Sequence, residues 1–149
     1  MGAFATALLL GLLGTGCRDE QPIKVTVVVV LGTADNTHVD PKLADLAKEI
    51  QKRDPKLTGC RRVGTEAKSI PVGESVTFAL VEKQELRVKV EKGRDAEGRV
   101  RLSIKAPGLG EASYSCVCDK FFPVVSPFIT KKGETLIVAV MAKPCTAKK

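Results

Sequence analysis

The sequence predicts an α+β domain: one buried N-terminal strand, one amphipathic helix, then a mostly antiparallel β-meander forming a small sheet or barrel. Three observations carry this expectation. Residues 23–32 are β-branched almost throughout, residues 43–50 repeat their apolar positions with helical period, and the segments that follow are short, β-prone and separated by glycine, proline or charged turns.

The first element is IKVTVVVVLG, residues 23–32, bounded by Pro22 and Gly32. Its apolar residues are continuous rather than alternating, so both faces of the strand are expected to be buried. TADNTH, residues 33–38, is polar and turn-rich and holds the single histidine, His38. DPKLADLAKEIQKRDP then gives the strongest helix signal in the chain. Asp40 is placed to cap it, and Pro41 stands at the first helical position, where a missing N–H costs nothing. Leu43, Leu46, Ala47 and Ile50 recur at i, i+3, i+4 and i+7 and form one apolar face. Lys52 and Arg53 complement the C-terminal end of the helix dipole, and Pro55 forbids continuation.

Six strands are expected beyond the helix: LTGCRRV (57–63), SVTFALV (75–81), ELRVKVE (85–91), RVRLSIKA (99–106), ASYSCVCD (112–119) and TLIVAVMA (135–142). The meander they form is expected to close over the helix. In the 85–106 hairpin, pairing Val90 with Val100 aligns three apolar pairs and sets Glu91 opposite Arg99 and Glu85 opposite Lys105. It also faces Lys89 toward Arg101. A slip by two residues sets Lys89 against Arg99 and Arg87 against Arg101, which cross-strand energies of ~0.2–1 kcal/mol per pair disfavour modestly. Either register puts Arg87, Lys89, Arg99 and Arg101 on one outer face. That face is either simply solvated or turned toward an anionic surface, such as phospholipid headgroups or an acidic envelope polymer.

The N-terminus, MGAFATALLLGLLGTGCRDE, has no charged side chain before Arg18, and its apolar run ends in small residues just before Cys17. A run of this length is too short to span ~30 Å of hydrocarbon as a helix, and it fits a secretory signal over residues 1–16. Small residues directly before a cysteine resemble the signal of bacterial lipoproteins. That resemblance implies cleavage before Cys17, acylation of its thiol, and a lipid-held tether over 17–22 ahead of a single domain at 23–145, with a basic tail at 146–149. Arg18 after the cysteine implies outer-membrane sorting, facing the periplasm. Plain secretion of a soluble protein is the alternative. The helix motif VDPKLADLAKEI and the strands behind it also resemble uncharacterised secreted proteins of bacteria with elaborate envelopes, a likeness that implies no activity.

The chain carries a net charge of +7, no tryptophan and one tyrosine, Tyr114. Aromatic platforms for single-stranded nucleic acid are therefore lacking, and an exported chain rarely meets a genome, so no nucleic-acid partner is expected. The expected partners are the membrane, through the lipid, and another envelope protein or an anionic polymer. Signatures of an α/β-hydrolase, a zinc protease or a P-loop do not occur. PGLGEAS (107–113) reads as a turn, the carboxylates Glu82, Glu85, Glu91 and Glu97 are interleaved with Lys and Arg, and Asp40 near Asp35 and Asn36 already has a capping role. No catalytic residue, metal site or cofactor is expected.

Four cysteines remain once Cys17 is acylated: Cys60, Cys116, Cys118 and Cys145. An even number in an exported chain points to disulfides. Cys116 and Cys118 share one strand face with Cα atoms roughly 6.5–7 Å apart, too far for an unstrained bond to each other. Each is therefore expected to reach a separate partner, Cys60 or Cys145. The competing reading is a thiol-based metal-binding or redox protein that gathers all four thiolates around a soft metal.

Overall fold

The computed structural model describes residues 21–144. Eight strands build two four-stranded antiparallel sheets. Sheet A contains β1 (Ile23–Thr33), β2 (Gly59–Ile70), β7 (Phe122–Ile129) and β8 (Thr135–Pro144), in the order β2-β1-β8-β7. Sheet B is a consecutive meander of β3 (Ser75–Ala79), β4 (Glu85–Lys92), β5 (Arg99–Lys105) and β6 (Glu111–Val117). Among the described residues there is one α-helix, α1 (Ala44–Arg53), which follows a 3-10 turn at Pro41–Leu43; a second 3-10 turn, Val81–Lys83, links β3 to β4. The domain is therefore α+β and largely β.

The continuous apolar character of β1 explains the layering. Val25, Val27, Val29 and Leu31 face sheet B and join Leu86, Val88, Val100, Leu102 and Ile104 in the inter-sheet core. The alternate residues Val28 and Val30 face the other way, where Leu43, Ala47 and Ile50 of the helical segment cover them together with Ile137 and Ala139 of β8. A strand with two apolar faces needs two covering layers, since each fully buried Val or Ile contributes ~1.5–3 kcal/mol. The helix supplies one and the meander the other. The meander consequently packs across sheet A from the helix instead of closing over it, and the sheets form an open sandwich with no closed barrel.

The helix starts as its sequence requires. Asp40 Oδ1 accepts from the Lys42 backbone N–H at 2.9 Å, Pro41 occupies the first helical position, and Asp54 ends the helix in extended conformation.

Two further expectations are corrected. The β4–β5 hairpin pairs Val88 with Ile104 and Val90 with Leu102, slipped by two residues from the Val90–Val100 register and in the opposite sense to the alternative weighed above. Its turn sits late in the loop: Asp95 Oδ1 accepts from the N–H groups of Glu97 and Arg99, each at 2.9 Å. A bulge between Val90 and Lys92 absorbs the mismatch. The observed register sets Lys89 opposite Ser103 rather than Arg101. The second correction is β7, which carries Pro123 and Pro127 and so did not read as a strand. It lies at the edge of sheet A, and its register against β8 shifts between Val125 and Ile129, around Pro127; edges and bulges are where a strand tolerates residues that cannot donate to the ladder.

Candidate functional site

The outward-pointing residues of sheet B form a basic face. Arg87, Lys89, Arg99 and Arg101 are all exposed, while Leu86, Val88, Val90, Val100 and Leu102 between them are buried. Strand alternation produces this directly, so the four expected cations do share one face. Registration then decides how they interact. Glu91, freed by the bulge, reaches Arg101 Nε at 3.2 Å and Ser113 Oγ at 3.1 Å, so Arg101 is internally neutralised. Lys89 lies between Ser75 and Ser103, and Arg87 between Thr77 and Lys105. Among the described residues, Arg87, Lys89 and Lys105 make no ion pair. Lys105 belongs to the face although sequence reasoning placed it against Glu85; the odd-numbered series Arg99, Arg101, Lys105 was the available signal. Arg87, Lys105 and the carboxylate Glu85 line an open hollow of about 330 Å³ beside the Ala106–Leu109 turn.

The basic face and the start of β1 lie at one end of the sandwich. Ile23 pairs with Ile70, the chain turns at once through 71–74, and Ser75 pairs with Lys89. On the other sheet edge, the Asp119 N–H donates to Ala142 O at 3.0 Å, just after Val117 pairs with Arg99. Lys89, Arg99 and Arg101 therefore sit toward the end of the sandwich at which β1 begins.

The cysteines do not gather. Cys60 is buried in the helix-side core and Cys116 in the inter-sheet core, with sheet A between them. Cys118 lies half-buried at the end of β6, and all three are free thiols. The expected bridge from Cys60 to Cys116 or Cys118 is not formed, because sheet A separates the two layers. A site using all four thiolates would have to unpack both cores. Burial raises the Cys60 thiol, and burial with a smaller contribution from Cys118 pushes Cys116 up to about 12. Burial also raises Cys118. Thiols held protonated at neutral pH are poor nucleophiles. Cys17 and Cys145 lie outside the described residues.

Other candidate chemistry resolves into structure. Asn36 Oδ1 accepts from the His38 N–H at 2.9 Å, and the Asn36 carbonyl accepts from Thr58 Oγ1 at 2.6 Å. PGLG (107–110) is a turn in which Gly108 adopts φ +76°, and Glu111, Ala112 and Ser113 already belong to β6. Among the described residues no group of three His, Cys, Asp or Glu is placed to hold a metal ion, and no helix is long and apolar enough to cross a membrane.

Fold and site together define a two-sheet α+β sandwich with a helix on one outer face and a basic surface on the other. Comparison with protein-family models, curated proteins and solved structures gives no match, so this class rests on the chain's own residues.

Proposed function

We propose that the protein is a non-catalytic module of the bacterial cell envelope. It is held to the outer membrane through a lipid on Cys17 and binds or scaffolds an anionic component through the outer face of sheet B. The observation that carries this reading is the shared position of the start of β1 and the cations Lys89 and Arg99. Residues 17–22 span at most roughly 20 Å when extended. A lipid at Cys17 would keep that end of the sandwich close to a bilayer surface or to an acidic polymer beside it. A basic patch beside a lipid anchor adds electrostatic attraction to an anionic membrane surface. The partner is the membrane itself, an anionic polymer, or an envelope protein with a complementary acidic surface. Cys60 and Cys116 are enclosed in different cores, which leaves Cys118 and Cys145 as the cysteines for a disulfide.

Mass spectrometry of the native N-terminal peptide tests the anchor. The expected result is a peptide that begins at an acylated Cys17. An unmodified Cys17 inside a longer chain would remove the lipid-anchored part of the reading and leave a soluble secreted protein.

A further inference from the structure

A groove of about 1010 Å³ opens beside α1, on the outer face of sheet A. It runs the length of the helical segment, from Lys42 to Arg53, along one flank of α1, where a single helix does not cover the full width of a four-stranded sheet. Where the helix stops shielding the sheet, Val28, Leu46, Phe121 and Pro123 form an apolar floor. Phe121 is 40% exposed, which makes it a large apolar group left in solvent at the groove. The apolar track continues past Phe121 into a second hollow of about 320 Å³ that reaches Val117, itself 42% exposed.

The rim has the opposite character. Six cations line the groove, Lys42, Lys48, Lys52, Arg53, Arg62 and Lys120, against two carboxylates, Asp45 and Glu49. Glu49 is already shared by Lys52 at 3.0 Å and Arg53 at 3.9 Å. Among the described residues, Lys42, Lys48, Arg62 and Lys120 have no ion-pair partner. Cations from the helix, β2 and the β6–β7 turn thus converge on an apolar concavity, where low-dielectric walls strengthen their field.

This combination selects one ligand chemistry. A hydrophilic polyanion would leave Phe121 and the floor unused, and a neutral lipid would leave four cations unmatched. We infer that the groove binds a single-chain anionic lipid, a long-chain fatty acid, with its acyl chain along Val28, Leu46 and Phe121 and its carboxylate among Arg62, Lys120 and the helix lysines. The volume lies at the upper end of small-ligand sites, which span ~300–1,000 Å³. The inference is independent of the Cys17 lipid and of the sheet B face, which lies across the molecule.

Calorimetric titration of dodecanoate into the chain from Arg18 onward tests it, since that chain keeps every described strand and both cores. The expected result is one bound dodecanoate per chain, with dodecanol at least ~10-fold weaker, the equivalent of ~1.4 kcal/mol for the charged head. Acetate should show no saturable binding. Arg62→Glu and Lys120→Glu, both at the surface, should each weaken dodecanoate severalfold, and Phe121→Ser should do the same through the chain. Lys89→Glu, on sheet B, should leave binding unchanged. Equal affinity for dodecanoate and dodecanol, acetate binding as tightly as dodecanoate, or full affinity in the Arg62 and Lys120 variants would each overturn the inference. Binding that fails while Lys89→Glu still alters vesicle association would reject the groove alone.

Discussion

Raising the pH should destabilise this fold through one buried thiol. Cys116 lies 3% exposed between the sheets, and burial moves it from its ordinary 9.0 to about 12. Below pH 9 the thiol is protonated in both folded and unfolded chains, so its contribution is fully present. Above that the unfolded chain gives up the proton while the folded chain keeps it. The folded state then binds more protons, and stability falls as pH rises toward 12. At ~1.36 kcal/mol per pH unit, going to pH 11 removes on the order of 3 kcal/mol. The assay is urea denaturation of the wild type and of Cys116→Ala at pH 8 and pH 11. Lysine titration acts on both chains and cancels in the comparison. Cys116→Ala should be the less stable protein at pH 8, from the lost sulfur contacts, and should close or reverse that gap at pH 11. A gap of the same size at both pH values would refute the reasoning, and it is also what a Cys116 locked in a disulfide would give.

Ile50, fully buried where α1 meets sheet A, is the anchor of the helix layer. Ile50→Ala should cost ~2–5 kcal/mol in urea denaturation. Gly108 holds φ +76°, and an added Cβ would lie 2.6 Å from Pro127 Cγ. Gly108→Ala should therefore cost ~1–3 kcal/mol, and less in a Pro127→Ala background, as a double-mutant cycle would show. Arg61 grips Glu134 through two hydrogen bonds, at 3.0 and 2.9 Å, and the guanidinium holds that carboxyl below its ordinary value of 4.5. Arg61→Ala should cost ~0.2–1 kcal/mol at pH 7. A depressed carboxylate stabilises above its unfolded value, so the difference should fade as pH falls below 4.5 and Glu134 becomes protonated in the fold.

Local chemistry was legible wherever a single segment carries it. Asp40, Pro41 and the Leu43–Ile50 stripe specify the helix without help from distant residues, and β1's apolar continuity correctly requires cover on both faces. The basic face was legible for the same reason, because alternation along one strand fixes which side chains point together. What depends on pairing was not. The β4–β5 register is set by the Asp95 turn and by a bulge that lets Glu91 reach Arg101, and apolar alternation is satisfied equally well by a two-residue slip. Strand β7 was hidden because its prolines are tolerated at a sheet edge and at a ladder irregularity, and both are properties of the assembled sheet. The separation of Cys60 from Cys116 is likewise a consequence of layering, since both follow ordinary strand patterns. The groove was the least legible feature: Lys42, Arg62 and Phe121 come from three separate parts of the chain, and only the assembled layers bring them together along one flank of α1.

Association with anionic vesicles is the most direct test of the basic face. The chain from Arg18 onward, which lacks the acylated cysteine, is sedimented with vesicles of neutral or mixed neutral and anionic lipid across a salt series. Exposed charges are screened within ~8–10 Å at physiological ionic strength. Binding to anionic vesicles is expected at low salt, weakens as salt rises and is lost in Lys89→Glu with Arg99→Glu, while Lys48→Glu on the helix face retains it. Binding that ignores lipid charge, or that survives reversal of Lys89 and Arg99, would contradict the proposed role of the basic face.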